Sequence, residues 1–435
     1  MARGRDSGRI RVGLLGCGHV GAPLAGLLLT DGDRIAALTG LRLELAAVAV
    51  RSRAKQRAVA VPEELLTTDA RAVVDNPDVD IVVELIGGIE PARTLLLDAL
   101  KSGKPVVTGN KELLANFGPE LYETAASAGV DILFEAAVAG AVPLIRSLRE
   151  SLAGERISRV LGIVNGTTNF ILSRMTDSSV SYADALAEAQ GLGYAESDPS
   201  ADVDGLDAAA KAAILANVAF GARVVAGDVY REGIREIGPR EIEVARRLGY
   251  AVKLLAIVEH DPGPPEAVGV RVHPAMVGLN HPLAKVSDSF NAVFVEGAAV
   301  GEMMLLGRGA GGLPTASAVL GDLIDAAHNL ATGGWGRTVM SRPILIRPID
   351  ELISAYALTL EVVDRPGVLH AVSGVLGEHQ VSVRSMEQDW SGESARLVFV
   401  THPAREADVQ ACLHDMRALE AVKRIGGLIR VIESR

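Results

Sequence analysis

The stretch "IRVGLLGCGHVGAPLAGLLL", residues 10–29, starts as an apolar, β-rich run, passes through three glycines and ends in a helical pattern. Gly16, Gly18 and Gly21 form G-x-G-x-x-G. The first glycine permits a tight turn, the second lets the backbone approach a pyrophosphate, and the third lets helix and strand pack closely; the helix N-terminus adds positive partial charge. The triplet alone is a weak signal. Its place between a strand and a helix favours dinucleotide binding over a purely structural turn. Further apolar runs follow in "AAVAVRSR", "VDIVVELIGG", "KPVVTGNK" and "VDILFEAAVAGAVP", with helical segments such as "PARTLLLDALKSG" between them. Strands that alternate with helices and are continuously apolar imply an α/β class with a parallel sheet covered on both faces.

A site for NAD usually ends its second strand in Asp or Glu, which binds the ribose 2′-hydroxyl. Here the second run ends in Arg51-Ser52-Arg53, with Lys55 close behind. A guanidinium suits a 2′-phosphate, so NADP is expected and NAD stays possible. An ordinary solvated basic turn is the alternative. His19 and Val20 lie inside the glycine loop and are further cofactor-contact candidates. Lys111, in "TGNKELLA", follows a strand and should emerge at the carboxyl edge of the sheet, where doubly wound folds bind ligands. A lysine in such a turn is otherwise simply exposed.

From about residue 144 longer helices mix with strands, an α+β pattern. "GRGAGGLPTASAVLGDLIDAAHNL" is a glycine loop feeding a helix, and "SRPILIRPIDE", with two prolines and no helical period, reads as a linker. The last eighty or so residues read as a βαββαβ module. The 435 residues carry a formal net charge of −11, which argues against nucleic-acid binding. Cys17 and Cys412 cannot build a disulfide framework, and no apolar run reaches membrane-spanning length. The basic start "MARGRDSGR" lacks an apolar signal core. A cytoplasmic, globular protein without a membrane partner is expected. No Cys/His cluster has zinc-ligand spacing.

The oddest segment is "LGYAESDPSADVDGLDAAAK", residues 192–211. It crowds Glu196, Asp198, Asp202, Asp204 and Asp207 into a loop-like run and answers them with Lys211 in an alanine-rich stretch. A helix beginning near Gly205 or Leu206 places Asp207 and Lys211 one turn apart on a face continued by Ile214, Leu215 and Val218. Burial disfavours the charged form of a lysine, so such a residue can lend or take a proton near neutral pH. An i,i+4 ion pair on a helix surface, worth about 0.3–0.5 kcal/mol, is the competing explanation. Fixed carboxylates are natural partners for the ammonium group of an amino-acid substrate; Asp198-Pro199 also has the look of turn chemistry.

Six segments in the same order resemble homoserine dehydrogenase, in its longer form with a C-terminal ACT domain: "GLLGCGHVG", "VVTGNKELLA", "FEAAVAGAVP", "GIVNGTTNFIL", "LGYAESDPSADVDGLDAAAK" and "GRGAGGLPTASAVLGD". The resemblance implies five parts: a disordered tail (1–9), a Rossmann dinucleotide-binding domain (10–140), an α+β catalytic and dimerisation domain (141–325), a return segment and linker (326–352), and a ferredoxin-like βαββαβ ACT domain (353–435). It also implies NAD(P)H-dependent interconversion of L-aspartate 4-semialdehyde and L-homoserine, on the route to threonine, methionine and isoleucine. By resemblance Lys211 is the proton donor and Lys111 the second active-site lysine, also beside the cofactor. Glu196 and Asp207 bind the substrate, with Asp202 in support, and Asn165 to Asn169 line its side, unless that run is a plain turn. A sodium site would use Glu135, Val138, Gly140 and Val142, unless that turn only joins domains. Gly311 would return the chain to the cofactor, unless its loop is simple capping. Threonine is the expected effector, at Asp364, Arg365, Pro366 and Gly367, unless the ACT module only dimerises. A homodimer or homotetramer is expected. Two alternatives stay open: another NAD(P)-dependent amino-acid oxidoreductase, or a non-catalytic amino-acid sensor. A semialdehyde dehydrogenase would need a cysteine nucleophile, and retention of both lysines speaks against a sensor.

Overall fold

Strand Arg9–Leu15 is flanked by Arg42–Ala49 and Ile81–Glu84, and all three run parallel. The computed structural model describes residues 8–391 and 394–432. Of the expected tail, residues 1–7 lie outside the described residues, while Arg9 already belongs to the first strand. The chain divides into two units, Met1–Val160 with Ala210–Val229 and Asn291–Ile344, and Leu161–Ala209 with Tyr230–Phe290 and Leu345–Arg435.

The first unit holds a six-stranded parallel sheet, in spatial order Leu66–Thr67, Arg42–Ala49, Arg9–Leu15, Ile81–Glu84, Val106–Thr108, Ile132–Leu133. Sequence order therefore reverses beside the first strand, so the glycine loop opens at the switch point of a doubly wound sheet. Ile81, Val82 and Val83 are wholly buried, which explains their unbroken apolar run. The expected strand in "VDILFEAAV" is only Ile132–Leu133 before the chain turns through a 3₁₀ turn, Glu135–Ala137. Helix Gly312–Thr332 packs Ala316, Val319, Leu323, Ala326 and Ala327 into the same core, a stripe of helical period. It runs past the expected boundary at 325 and stops where Gly333 takes φ 74°.

In the second unit, Tyr250–Asp261 and Ala267–Gly278 form a long antiparallel hairpin. The βαββαβ module lies beside it: four antiparallel strands in the order Val422–Ile432, Ile353–Val363, Ser394–Thr401, Val383–Ser391. Tyr356, Leu358, Leu360 and Val362 alternate inward against helices Val368–Glu378 and Glu406–Ala418. Its last strand also pairs parallel with the hairpin, Ala275 to Arg430 through Val277 to Ile432, so the two sheets are continuous. The proline-rich "SRPILIRPIDE" is anchored too: Leu345–Ile346 pairs with Ala267 and Val268, and Arg347 is ion-paired with Asp261. No helix among the described residues is long and apolar enough to cross a membrane.

Candidate active site

The three glycines divide their labour as their spacing requires. A Cβ on Gly16 would lie 2.6 Å from the Leu85 carbonyl oxygen, and one on Gly21 would lie 2.0 Å from the oxygen of Gly16. A Cβ on Gly18 would meet nothing within 4 Å, because that residue faces an open cavity. The cavity, about 560 Å³, is walled by the glycine loop, by His19 and by the turn from Leu85 to Gly87. Val20 takes the N-cap position of helix Gly21–Thr30 instead of lining the cavity. Gly311 caps helix Gly312–Thr332 at φ 126°, and a Cβ on the next residue, Gly312, would sit 2.5 Å from the His19 carbonyl oxygen.

Arg51, Ser52, Lys55 and Arg57, from the turn that follows strand Arg42–Ala49, also line the cavity. Arg53 instead donates to the Glu63 carbonyl at 2.9 Å. Arg57 braces the turn by donating to the carbonyls of Lys55 (2.9 Å) and Arg53 (3.3 Å). The cavity wall also includes Cys17, whose thiol is pushed up by burial and so resists becoming a nucleophilic thiolate.

Lys111 opens helix Lys111–Ala128, just beyond strand Val106–Thr108, at the sheet's carboxyl edge. It is exposed. Asn110 caps that helix by accepting from the Leu113 amide (3.1 Å) and donates to the Gly88 carbonyl (2.7 Å). Beneath it, fully buried Glu84 accepts from the amides of Ile86 (2.8 Å) and Gly87 (3.0 Å) and from the Thr108 hydroxyl (2.6 Å). One carboxylate thus ties the cavity turn to the strand that presents Lys111. Sequence reasoning passed over Glu84, although a charge closing the apolar run "VDIVVE" is a visible signal.

The acidic segment sorts its five carboxylates. Asn165 donates to Asp202 at 2.7 Å and to Asp207 at 2.8 Å. Asp204 pairs with Arg235, which holds it below the usual carboxylate range. Asp198 is held low by the Ser200 hydroxyl and then by the Ser200 amide, which donates to it at 3.1 Å, turn chemistry rather than substrate chemistry. Glu196 is exposed and its carbonyl accepts from Gln190 at 3.0 Å. Short helix Ser200–Val203 turns at Gly205, φ 78°, into helix Leu206–Phe220, which begins where the spacing placed it. Asp207 and Lys211 fall one turn apart on that helix, 7% and 8% exposed.

Helix Gly166–Ser178 starts at Asn165, and its Asn169 donates to the Asp288 carbonyl at 2.9 Å. Lys253, alone in the apolar run "YAVKLLAIV", donates to Asn169 (3.2 Å) and to the Val286 carbonyl (2.6 Å), and burial lowers it to about 8. Sequence reasoning missed this clamp too.

In the segment from Glu135 to Val142, the Glu135 carboxylate already accepts from the amides of Ile145 (2.9 Å) and Arg146 (2.7 Å). The main-chain oxygens of this segment are the further donors a hard cation could use, and Ala139 (φ 58°) and Gly140 (φ 48°) are successive left-handed residues that fold the loop back. Among the described residues, no group of three or more His, Cys, Asp or Glu is placed to hold a metal ion. Asp364, Arg365, Pro366 and Gly367 form the exposed turn before helix Val368–Glu378, with Gly367 at φ 90° and Arg365 3.5 Å from Glu420.

A doubly wound sheet with a glycine-loop cavity at its switch point, joined in one chain to a lysine-and-carboxylate helix, defines a nicotinamide-dependent oxidoreductase. The family models agree. "Homoserine dehydrogenase, NAD binding domain" matches residues 16–135, "Homoserine dehydrogenase" residues 143–324, and "ACT domain" residues 356–421. The homoserine dehydrogenase of Corynebacterium glutamicum is 48% identical over 427 residues, covering 97% of this chain and 95% of that protein. A homoserine dehydrogenase structure from Thiobacillus denitrificans superposes with a TM-score of 0.92 at 39% identity, covering 98% of each chain. A hyperthermophilic archaeal homoserine dehydrogenase in complex with NADPH matches with a TM-score of 0.59 at 30% identity, over 74% of this chain and 98% of that one. The chain belongs to the homoserine dehydrogenase family: it is an NAD(P)-dependent oxidoreductase that interconverts L-aspartate 4-semialdehyde and L-homoserine, and it carries a C-terminal ACT domain suited to regulation.

Proposed function

We propose that Lys211 is the general acid of this reaction and that the chain prefers NADPH. The observation that carries the first reading is a lysine, 8% exposed, one helical turn beyond a carboxylate that is 7% exposed. The bound nicotinamide supplies the hydride. As the aldehyde oxygen gains negative charge, the Lys211 ammonium donates a proton to it; in the reverse direction the amine takes that proton from homoserine. Asp207 and Glu196 hold the substrate ammonium, Asp202 supports them, and Lys111 is the second active-site lysine and touches the cofactor. The glycine loop and His19 hold the dinucleotide, and Gly311 returns the chain to it, while Val20 serves them as the N-cap of helix Gly21–Thr30.

NADPH preference is supported by the cavity wall, where Arg51, Lys55 and Arg57 occupy the place of the usual ribose carboxylate. The NADPH complex of the archaeal relative points the same way. A monovalent cation, sodium, is held by main-chain oxygens of Glu135, Val138, Gly140 and Val142. A left-handed alanine costs about 1–2 kcal/mol, which such a cation would help offset. Threonine acts at Asp364 to Gly367, the enzyme works in the cytoplasm, and it assembles as a homodimer or homotetramer.

The test is Lys211→Ala. Turnover should fall by about 10²–10⁴-fold, while NADPH binding, followed by fluorescence titration, stays within a factor of two or so. A folded variant with wild-type kcat across the pH range removes Lys211 from the acid role.

A further inference from the structure

We propose that Asn165 is a positioning residue that holds the supporting Asp202 carboxylate beside the substrate-binding Asp207 carboxylate, so that the two act together on the substrate ammonium. The inference rests on the reading that these carboxylates bind the substrate. Both bonds come from one group: Nδ2 donates to Asp202 Oδ1 at 2.7 Å and to Asp207 Oδ2 at 2.8 Å. Both hydrogens of that amide are thereby used, one on each carboxylate.

The other end of the amide fixes which way round it sits. Oδ1 accepts from the Thr168 backbone amide at 2.9 Å and lies 2.9 Å from the Thr168 hydroxyl. A flipped side chain would point an amide donor at a backbone N–H and an oxygen at two carboxylates. Asn165 is 5% exposed and Thr168 1%, so water cannot relieve either clash. The N-cap of helix Gly166–Ser178 therefore dictates that two N–H bonds project toward the acidic segment.

That segment needs the help. Asp202 and Asp207 are two like charges within reach of one NH₂ group, and they repel. Asn165 is neutral, so it orders the pair without adding charge to it, and carboxylates held this way suit a cationic group such as the α-ammonium of an amino acid. Asp207 also stands in the first turn of the helix that carries Lys211 four residues on. Fixing one fixes the helical phase of the other. Thirty-seven and 42 residues separate Asn165 from its two partners, so no local pattern betrays the arrangement.

Capping and bridging make opposite demands, which separates them. Asp and Ser cap helices about as well as Asn. Neither can donate to two carboxylates at once. Asn165→Asp and Asn165→Ser should both fold and melt near the wild type, yet each should raise the KM for homoserine by about tenfold or more, the loss of charge-assisted hydrogen bonds. The KM for NADP⁺ should stay put, and kcat should change less than KM. Asn165→Asp should be the worse of the two, because it adds a third carboxylate; should it fail to fold, Asn165→Ser, which adds no charge, decides alone. Wild-type KM for homoserine in a folded Asn165→Ser would reduce Asn165 to a helix cap and overturn the proposal. Asp207→Asn, measured alongside, checks the underlying reading. If it raises that KM and Asn165→Ser does not, only the positioning role falls. If Asp207→Asn itself leaves the KM unchanged, the carboxylates do not bind substrate and both ideas fall together.

Discussion

At the scale of single residues, orientation separates chemical candidates that look alike in the sequence. Arg51 and Arg53 are two residues apart in one basic turn, yet Arg51 lines the cofactor cavity while Arg53 bonds the Glu63 carbonyl. Arg51→Ala should therefore raise the KM for NADPH by about tenfold or more while moving that for NADH little, since a guanidinium–phosphate contact is charge-assisted. Arg53→Ala should change the NADPH value much less. Steady-state assays with both cofactors decide it; equal effects of the two substitutions would show that neither reads the 2′-phosphate directly. The glycine triplet was legible because its spacing is local, and a Cβ on Gly21 is excluded by the oxygen of Gly16 in the same loop; the Leu85 carbonyl that excludes one from Gly16 lies far along the chain and could not be read from the motif. The five carboxylates were legible as a cluster but not as individuals. Which of them meets Asn165 and which meets Arg235 depends on elements 31 to 42 residues away.

At the scale of elements, a few buried polar side chains lock loops to the strands and helices that position them. Lys253 stands on strand Tyr250–Asp261 and reaches both Asn169 on helix Gly166–Ser178 and the Val286 carbonyl. Burial lowers it to about 8, with the charges of Asp177 and Asp288 opposing the shift. The folded state therefore binds fewer protons at this site than the unfolded state between about pH 8 and the ordinary lysine value near 10.4, and stability rises with pH across that window. As pH falls through 8 the contribution is lost. Lys253→Met lacks this dependence, so the gap in unfolding free energy between wild type and variant should widen by roughly 1–3 kcal/mol from pH 8 to pH 10. At pH 7 the variant also takes the Lys253 donor from Asn169 Oδ1 and leaves the Val286 carbonyl only the 3.3 Å bond from Asn169 Nδ2, a cost of about 1–3 kcal/mol. Denaturant melts at the three pH values measure both, and parallel curves for the two proteins would sink the argument. The boundaries of elements were less legible than their existence. The run "SRPILIRPIDE" lacks any period of its own because two of its residues, Leu345 and Ile346, take their order from Ala267 and Val268, far back in the chain.

At the scale of the molecule, the ACT module is recognisable from its βαββαβ pattern, but its pattern conceals how firmly it is built in. Strand Val422–Ile432 pairs on one side with its own module and on the other with Ala275–Val277 of the hairpin. Arg430, 2% exposed, donates twice to Glu406 at 2.8 Å and once to Glu232 at 2.9 Å, so a guanidinium of the module neutralises a carboxylate outside it. Tyr356 also donates to Glu406, at 2.8 Å. Burial pushes the Glu406 carboxyl up, but the Arg430 hydrogen bond and charge outweigh it and hold it below its usual range. Removing one partner of such a system strands the others in low dielectric. Arg430→Met should cost about 3–5 kcal/mol, seen as a lower denaturation midpoint with the slope unchanged. A chain stopped just before Ser354 should do worse. It strips the pairing partner from Ala275, Met276 and Val277, each no more than 2% exposed, and leaves Glu232 without Arg430. The truncated chain should aggregate on size-exclusion chromatography or bind a hydrophobic dye, because a bare, apolar strand edge is a template for pairing. A monodisperse truncated chain with wild-type melting would show instead that the hairpin does not need the module. If the truncation fails as expected, loss of a threonine response in it would say nothing about the effector site. The response then has to be sought in the intact chain, at exposed Arg365, where a substitution to alanine leaves the shared strand and the Arg430 network in place.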